Sequence, residues 1–209
     1  MRLAAFNGSS RKNGNTRILL EIICDETRRA GIDSEIISLS DFPLRGCLGC
    51  FACKGQARCI TIDDGFNDCF AKMREADGIV LGSPVYSADV SAPMKAFLER
   101  AGVVCASNPG LLRRKAGAAV AAVRRAGGLN TVDSMNHFLL NKEVILAGST
   151  YWNMVYGNTP EEVRQDKEGL QTMRTLGRNM AFLMKSIALG KAQLGLPEKE
   201  PVQQTNFHH

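Results

Sequence analysis

The sequence predicts an α/β protein in which a doubly wound, five-stranded parallel sheet lies between two layers of helices. Two observations predict this fold. Apolar runs of strand length alternate with amphipathic segments of helix length along the whole chain. No internal repeat or low-complexity linker divides the 209 residues, so we expect a single domain over 1–209 with room for a large core.

Each element has a local signal. Five apolar segments predict buried strands: LAAF (3–6), SEIISL (34–39), GIVLGSP (78–84), KAGAAVAAV (115–123) and EVILAG (143–148). Apolar residues at helical spacing, with glycine or proline near the ends, predict helices over 16–30, 66–76, 91–102 and 129–142. A long helix is predicted from about 161 to 189, followed by a tail along the surface.

Composition excludes several classes of partner. The net charge of +5 is carried by scattered basic residues, with no basic run interleaved with aromatics, so nucleic acid is not expected as a partner. No apolar run is long enough to span a bilayer, and the N-terminal run is too short for a signal-peptide core. We therefore expect a cytoplasmic protein without a membrane partner. Apart from His137 the only histidines are terminal, at 208–209, which argues against a site needing two core histidines.

The loop NGSSRKNGNT (7–16) follows the first strand and leads into a helix, which is where such sheets bind ligands. Helix N-termini favour phosphate, and the loop is rich in donors. The candidate phosphate ligands are Ser9, Ser10, Arg11, Asn15 and Thr16. The glycine spacing matches neither a P-loop nor Gly-x-Gly-x-x-Gly, which favours a monophosphate. The alternative is an ordinary turn capped by Asn15 or Thr16.

Two further loops follow the third and fourth strands. In SPVYS (83–87), Pro84 fixes a bend and Tyr86 offers a flat apolar face with a polar tip. In VRRAGGLNT (123–131), Gly127 and Gly128 permit close approach to a planar ligand. Each loop has a simpler interpretation, as a turn or as a glycine hinge.

The motifs GSSRKNGNT and GSPVYSADVSAPMKAFLER (82–100) resemble those of the NADPH-dependent FMN reductase family. The resemblance covers about 1–150, and five strands fit its flavodoxin-like order better than a six-stranded dinucleotide fold. It implies that Ser9, Arg11, Asn15 and Thr16 hold the FMN phosphate. It places the flavin ring against Pro84, Val85, Tyr86, Ser87, Arg124, Gly127 and Gly128.

The segment RGCLGCFACKGQARCI (45–60) contains Cys47, Cys50, Cys53 and Cys59. Four thiolates on one compact loop fit iron–sulfur chemistry, although the last spacing differs from that of bacterial ferredoxins. Zinc usually takes two separated Cys pairs, or Cys with His. Metal-free or disulfide-forming thiols are a third interpretation. The remaining cysteines, Cys24, Cys69 and Cys105, fall in predicted helices and are expected to be buried apolar residues.

This Cys quartet, placed after the second strand of an FMN-binding domain, resembles that of the iron–sulfur flavoproteins. The resemblance implies that all four thiolates bind a [4Fe–4S] cluster, and that a homodimer or homotetramer passes electrons between cluster and FMN. NAD(P)H or ferredoxin would be the electron donor, and no acid–base catalytic side chain is required. Two rivals remain: an NAD(P)H-dependent FMN or quinone reductase without a cluster, and a flavin-binding redox sensor.

Two apolar features have alternative interpretations. Tyr151, Trp152 and Tyr156 could cover a flavin, or could pack against the last helix. That helix carries an apolar stripe that serves as core or as a subunit interface. Its members are Met173, Leu176, Met180, Leu183, Met184 and Ile187.

Overall fold

The computed structural model describes residues 1–201, 203 and 205, and the terminal histidines lie outside the described residues. Six strands are observed: β1 (Arg2–Asn7), β2 (Asp33–Ser38), β3 (Gly78–Pro84), β4 (Ala116–Val123), β5 (Ile145–Leu146) and β6 (Met154–Tyr156). The helices are α1 (Asn15–Arg29), α2 (Phe66–Glu75), α3 (Ala92–Ser107), α4 (Gly128–Leu140), α5 (Pro160–Val163) and α6 (Lys167–Leu194). A short 3₁₀ turn, Leu39–Asp41, follows β2.

The strands form one parallel sheet in the order β2-β1-β3-β4-β5, with β6 also paired to β4. This confirms the predicted doubly wound, flavodoxin-like fold. Helical crossovers join the first five strands, and all strands run parallel, so the carboxyl ends of β1, β3 and β4 meet at one edge of the sheet.

The fifth strand predicted over 143–148 is confirmed but shorter, as β5 (Ile145–Leu146), and a sixth strand, β6, was not predicted. The fifth position holds two short strands, because the chain leaves β4 after Ala147 and returns to it at Asn153. The Ser149 hydroxyl bonds the Tyr151 carbonyl and the Asn153 side chain, which folds the intervening loop on itself.

The last helix is interrupted, which the sequence prediction missed. Asp166 accepts hydrogen bonds from the backbone N–H groups of Gly169 and Tyr156, so it caps a new helix and separates α5 from α6. α6 also extends to Leu194, beyond the predicted end at Leu189. Downstream of α6, Glu198 and Lys199 contact the loop before β4, which agrees with a tail along the surface.

Apolar side chains fill both faces of the sheet. Phe6, Phe66 and Phe97 stack on the face covered by α2, α3 and α4, while α1 and α6 cover the other. The α6 stripe belongs to this second core: four members are buried and Leu183 and Ile187 are half-buried against it. Within the described residues, no helix combines the length and apolar character needed to cross a bilayer.

Candidate functional site

Three loops meet at the carboxyl edge of the sheet, after β1, β3 and β4. The Gly8 amide donates to the Gly82 carbonyl at 2.8 Å, and the Ser91 hydroxyl donates to the Gly8 carbonyl at 2.5 Å. These bonds tie the first loop to the end of β3 and to the start of α3. The edge therefore carries a fixed backbone framework on which a ligand can rest.

The first loop folds into a compact turn. The Asn7 side-chain oxygen accepts from the Ser9 amide at 3.0 Å, and the Ser9 hydroxyl accepts from the Arg11 amide at 3.1 Å. Ser9 is buried, whereas Ser10 and Arg11 are exposed at the mouth of the turn. The side-chain nitrogen of Asn15, Nδ2, donates to the Gly157 carbonyl, which joins this turn to the loop after β6.

The start of α1 presents donors without partners. Its N-cap is Gly14, no described side chain caps it, and its first turn, NTRI, has no acidic residue. The Thr16 hydroxyl is buried and has no partner among the described atoms. A buried orphan hydroxyl is costly unless it finds a partner. A phosphate at this positive helix end satisfies the hydroxyl and the first free N–H groups together, so these residues fit the FMN phosphate.

The loop after β3 is a tight hairpin. Tyr86 and Asp89 exchange two backbone hydrogen bonds, and Ser87 and Ala88 between them both have positive φ, of 49° and 62°. Tyr86 is 43% exposed, so part of its side chain remains free to contact a ligand. Pro84 still belongs to β3, and the Val85 amide donates to the Ala122 carbonyl of β4.

The third loop packs directly against this hairpin. Gly127 has a φ of +84°, and a Cβ there would lie 2.8 Å from Val85 Cγ1 and 2.9 Å from Ala88 Cα. The Asn130 side chain donates to the Ala88 carbonyl, and the Ser134 hydroxyl donates to Asp89. Gly127 therefore determines how closely the two loops approach each other. This packing role could not be predicted from the position of Gly127 in the sequence.

Alanine at Gly127 is expected to push the two loops apart. Positive φ and the clash with Val85 and Ala88 together cost about 2–5 kcal/mol of unfolding free energy. Denaturant unfolding measures this loss, and titration of the apoprotein with FMN should show weaker binding. Gly148→Ala is the matched control, because a Cβ at Gly148 meets no atom within 4 Å. Equal stability and FMN affinity of the two variants would contradict the assignment.

The remaining predicted residues lie around this edge. Gly128 begins α4, where a Cβ would meet Met154 Sδ at 2.2 Å, and Arg124 is exposed. Tyr151 and Trp152 are exposed and line an open cavity of about 440 Å³ between α4 and the loop that separates β5 from β6. A hydrogen bond from the Asn179 side chain to the Gly148 carbonyl joins this loop to α6.

The cysteine loop lies against α2 and α3. Glu99 of α3 accepts from the Cys47 amide at 3.0 Å, and the Asn108 side chain donates to the Cys53 carbonyl at 2.9 Å. The Asn67 side chain of α2 bonds both the amide and the carbonyl of Cys59. Sequence reasoning missed these anchors, since each bonds a loop residue through contacts that no local motif signals.

The four predicted ligand cysteines line one narrow cavity. Cys53 is buried, Cys47 and Cys59 are half-buried, and Cys50 is exposed. The other lining residues are Leu48, Phe51, Ile60, Thr61, Ile62, Arg100, Val103 and Val104. Four thiols around one largely apolar cavity match the ligand set of an iron–sulfur cluster.

The pKa values of Cys50 and Cys59 shift in the opposite direction from those of the three cysteines outside the cavity. Burial raises the pKa of Cys24 and Cys69 to about 12 and that of Cys105 to about 11. A hydrogen bond with the Thr61 side chain lowers the pKa of Cys50. Burial acts to raise the pKa of Cys59, but the Thr61 backbone and the neighbouring Arg100 guanidinium outweigh burial, so the pKa of Cys59 is lowered. Lowered pKa values favour thiolates, the form that binds metal.

All seven cysteines are free thiols. In the part of the chain that is described, no three His, Cys, Asp or Glu side chains are placed to hold one metal ion. The quartet therefore surrounds its cavity without converging on a point. In a cubane each thiolate binds a different iron, so convergence is not needed. The cavity must widen to admit a cubane, and the segment 48–52 at its side is exposed.

The cysteine cavity and the first loop (7–16), called the phosphate loop below, are separated along α3. Ser91, at the start of this helix, contacts the phosphate loop, whereas Arg100 and Val103 line the cysteine cavity. At 1.5 Å per residue, these two positions lie about 14 and 18 Å along the helix axis from Ser91. Within one chain the two sites are therefore neighbours on one helix but not in contact.

The sheet order and the uncapped helix start after β1 define a flavodoxin-like fold with a site suited to a phosphate group. Residues 1–159 match the family model described as NADPH-dependent FMN reductase. An iron–sulfur flavoprotein of Methanocaldococcus jannaschii is 37% identical over 90% of this chain and 99% of its own length. One from Methanosarcina thermophila is 26% identical over 90% of this chain and 97% of its own. The chain belongs to the NADPH-dependent FMN reductase family and, within it, to the iron–sulfur flavoproteins.

Solved structures agree on the fold. RosB, solved with bound 8-demethyl-8-formylriboflavin-5′-phosphate, superposes with a TM-score of 0.74 at 14% identity and covers 100% of this chain and 92% of its own. An archaeal flavodoxin has a TM-score of 0.57 at 18% identity, covering 88% and 99%. From its family, the protein is a flavin-dependent oxidoreductase.

Proposed function

We propose that this protein binds FMN and a [4Fe–4S] cluster and passes electrons between them. The observation that carries the proposal is the cavity lined by Cys47, Cys50, Cys53 and Cys59 in a chain that also has an FMN-type phosphate loop. The name shared by its relatives supports the proposal. FMN exchanges electrons in pairs or singly, whereas the cluster carries one at a time, so together they join two-electron donors to one-electron carriers.

The chain's own residues supply binding and orientation. Ser9, Ser10, Arg11, Asn15 and Thr16 form the proposed phosphate site with the N-terminus of α1. The proposed ring site consists of Pro84, Val85, Tyr86, Ser87, Arg124, Gly127 and Gly128. The packing of Gly127 on the Tyr86–Asp89 hairpin fixes the spacing of these two ring loops. No side chain has to move a proton in this scheme.

The proposed cluster ligands are held by the C-terminal half of α3 and by Asn108, directly after it. Glu99, Arg100 and Asn108 bond the backbone of the cysteine loop at three separate points, Cys47, Arg45 and Cys53. The loop is thus attached to the helix whose start contacts the phosphate loop. Ordering the ligands before the cluster binds reduces the entropy lost on assembly.

We also propose that electrons pass between subunits of a homodimer or homotetramer. Support comes from the apolar surface beside the proposed cluster ligands. Leu48, Phe51 and Ile60 are more than half exposed beside the cysteines, and could be covered by a second subunit. NAD(P)H or ferredoxin is the proposed electron donor, and the reducing cytoplasm the proposed compartment.

A reductase without a cluster is the second candidate. The narrowness of the cysteine cavity favours it, because an FMN or quinone reductase would leave that cavity unchanged. In that case the four thiols are structural or redox-active.

An anaerobic reduction experiment separates the two. The full-length protein, loaded with FMN and with iron and sulfide, receives less than one equivalent of NADPH or of reduced ferredoxin. Flavin absorbance and the low-temperature EPR signal of the cluster are followed together. We expect both to change, with Cys50→Ser showing the flavin change alone. Flavin reduction with no cluster signal in the wild type would support the cluster-free reductase.

A further inference from the structure

The buried ion pair Arg100–Asp64 lies directly behind the cysteine cavity. The Arg100 side chain is 1% exposed and lines the cavity, and the Asp64 side chain is 6% exposed. Arg100 Nη1 donates to both Asp64 oxygens, at 2.7 and 2.6 Å, and Nη2 donates to the Ile62 carbonyl at 3.2 Å. Burying an ion pair carries a large desolvation cost, and a hydrophobic pair of similar volume often serves stability as well. Stability alone therefore does not explain why a charged pair occupies this position.

The guanidinium is held in one orientation. It stacks over the Phe66 ring, with Cζ 4.2 Å from the ring centroid, and the Asp64 carboxylate is fixed in turn by the Arg45 amide at 2.8 Å. Arg100 therefore presents a fixed donor group rather than a mobile charge.

One donor of Arg100 has no acceptor. Its Nε is buried and lacks a hydrogen-bond partner within the described residues. An unpaired buried N–H group is costly. The cavity beside Arg100 is lined by the cysteine sulfurs, and the Cys59 thiol lies near the guanidinium. The missing acceptor would be present once a cluster fills the cavity.

On the basis of the proposed cluster, we propose that Arg100 is a positioning residue that donates its Nε–H to a sulfur of that cluster, the Cys59 thiolate or a sulfide. Hydrogen bonds to the sulfurs and nearby positive charge both stabilise the reduced, more negative cluster. Arg100 therefore raises the reduction potential of the cluster toward that of the flavin, with no effect on the flavin site.

The test compares Arg100→Lys with Arg45→Lys in the full-length, cluster-loaded protein. Lysine keeps the charge but lacks the planar Nε–H fork. Arg45 is an exposed residue of the same loop that takes part through its backbone, so it controls for the substitution. EPR-monitored titration gives the cluster potential, optical titration gives the flavin potential, and resonance Raman in H₂O and D₂O reports hydrogen bonds to the cluster sulfurs.

We expect Arg100→Lys to lower the cluster potential, to leave the flavin potential unchanged and to reduce the D₂O shift of the Fe–S bands. Arg45→Lys should behave as the wild type. Asp64→Asn leaves Arg100 in place and removes the opposing negative charge, so it should raise the cluster potential. This variant provides the test if Arg100→Lys does not fold. Iron-loaded variants with wild-type potentials and Raman shifts would overturn the role of Arg100 alone. Wild-type protein without iron would overturn the proposed function as well.

Discussion

Serine at Cys50 is expected to remove the iron and leave FMN bound. The change deletes one thiolate of the four, and a neutral hydroxyl is a poor ligand for iron in a cubane. Bound iron should fall from about four per chain to near zero, since an incomplete ligand set leaves the cluster open to loss. FMN should stay at about one per chain, because the phosphate loop shares no residue with the cysteine loop. Metal analysis and the flavin spectrum of protein made without air measure both.

Cys105→Ala is the matched control for this prediction. Cys105 lies in α3, close to the cysteine loop in the fold, but burial raises its pKa to about 11 and it does not line the cavity. This variant should keep its iron. Full iron content in Cys50→Ser would contradict the ligand assignment, and loss of both iron and FMN would indicate general unfolding.

Valine at Thr16 is expected to weaken FMN binding by roughly ten- to a hundredfold. The substitution is nearly isosteric and removes only the buried hydroxyl that lacks a partner in the structure. A hydrogen bond to a charged group contributes about 1.5–3 kcal/mol, and about 1.4 kcal/mol corresponds to each factor of ten in Kd. Fluorescence titration of the apoprotein with FMN gives the Kd, and iron content should not change.

Thr27→Val makes the same substitution elsewhere on α1. The Thr27 hydroxyl is also buried, but it already bonds the Ile23 and Cys24 carbonyls and Ser34. This variant should lose stability and keep its FMN affinity. The opposite pattern, with wild-type FMN affinity in Thr16→Val, would show that the phosphate does not contact this hydroxyl.

Local patterns predicted most of the fold because each strand and helix in the first 140 residues has its own periodicity and boundary residues. Strand β6 escaped prediction because Met154–Tyr156 is only three residues long and pairs with β4 alone. The continuation of α3 past Gly102 to Ser107 was also missed, although it supplies Val103 and Val104 to the cysteine cavity. Glycine within a helix is tolerated where packing on both sides continues.

The residues of the candidate site also fall into two groups, those that local motifs predict and those that only the tertiary structure reveals. The cysteine quartet and the phosphate loop are contiguous motifs, so the sequence alone identifies them. Arg100 and Asn108 contact the cysteine loop from a helix some 40 or more residues away, and the buried, unpartnered Arg100 Nε is visible only in three dimensions. Pairings of this kind depend on tertiary contacts rather than on residue spacing.

The central claim is that one chain holds one FMN and one [4Fe–4S] cluster. The most direct test is the content of iron, acid-labile sulfide and flavin in the full-length wild-type protein, produced and purified without air. We expect about four iron, about four sulfide and about one FMN per chain. Flavin at that level in protein that takes up neither iron nor sulfide, even on anaerobic reconstitution, would contradict it.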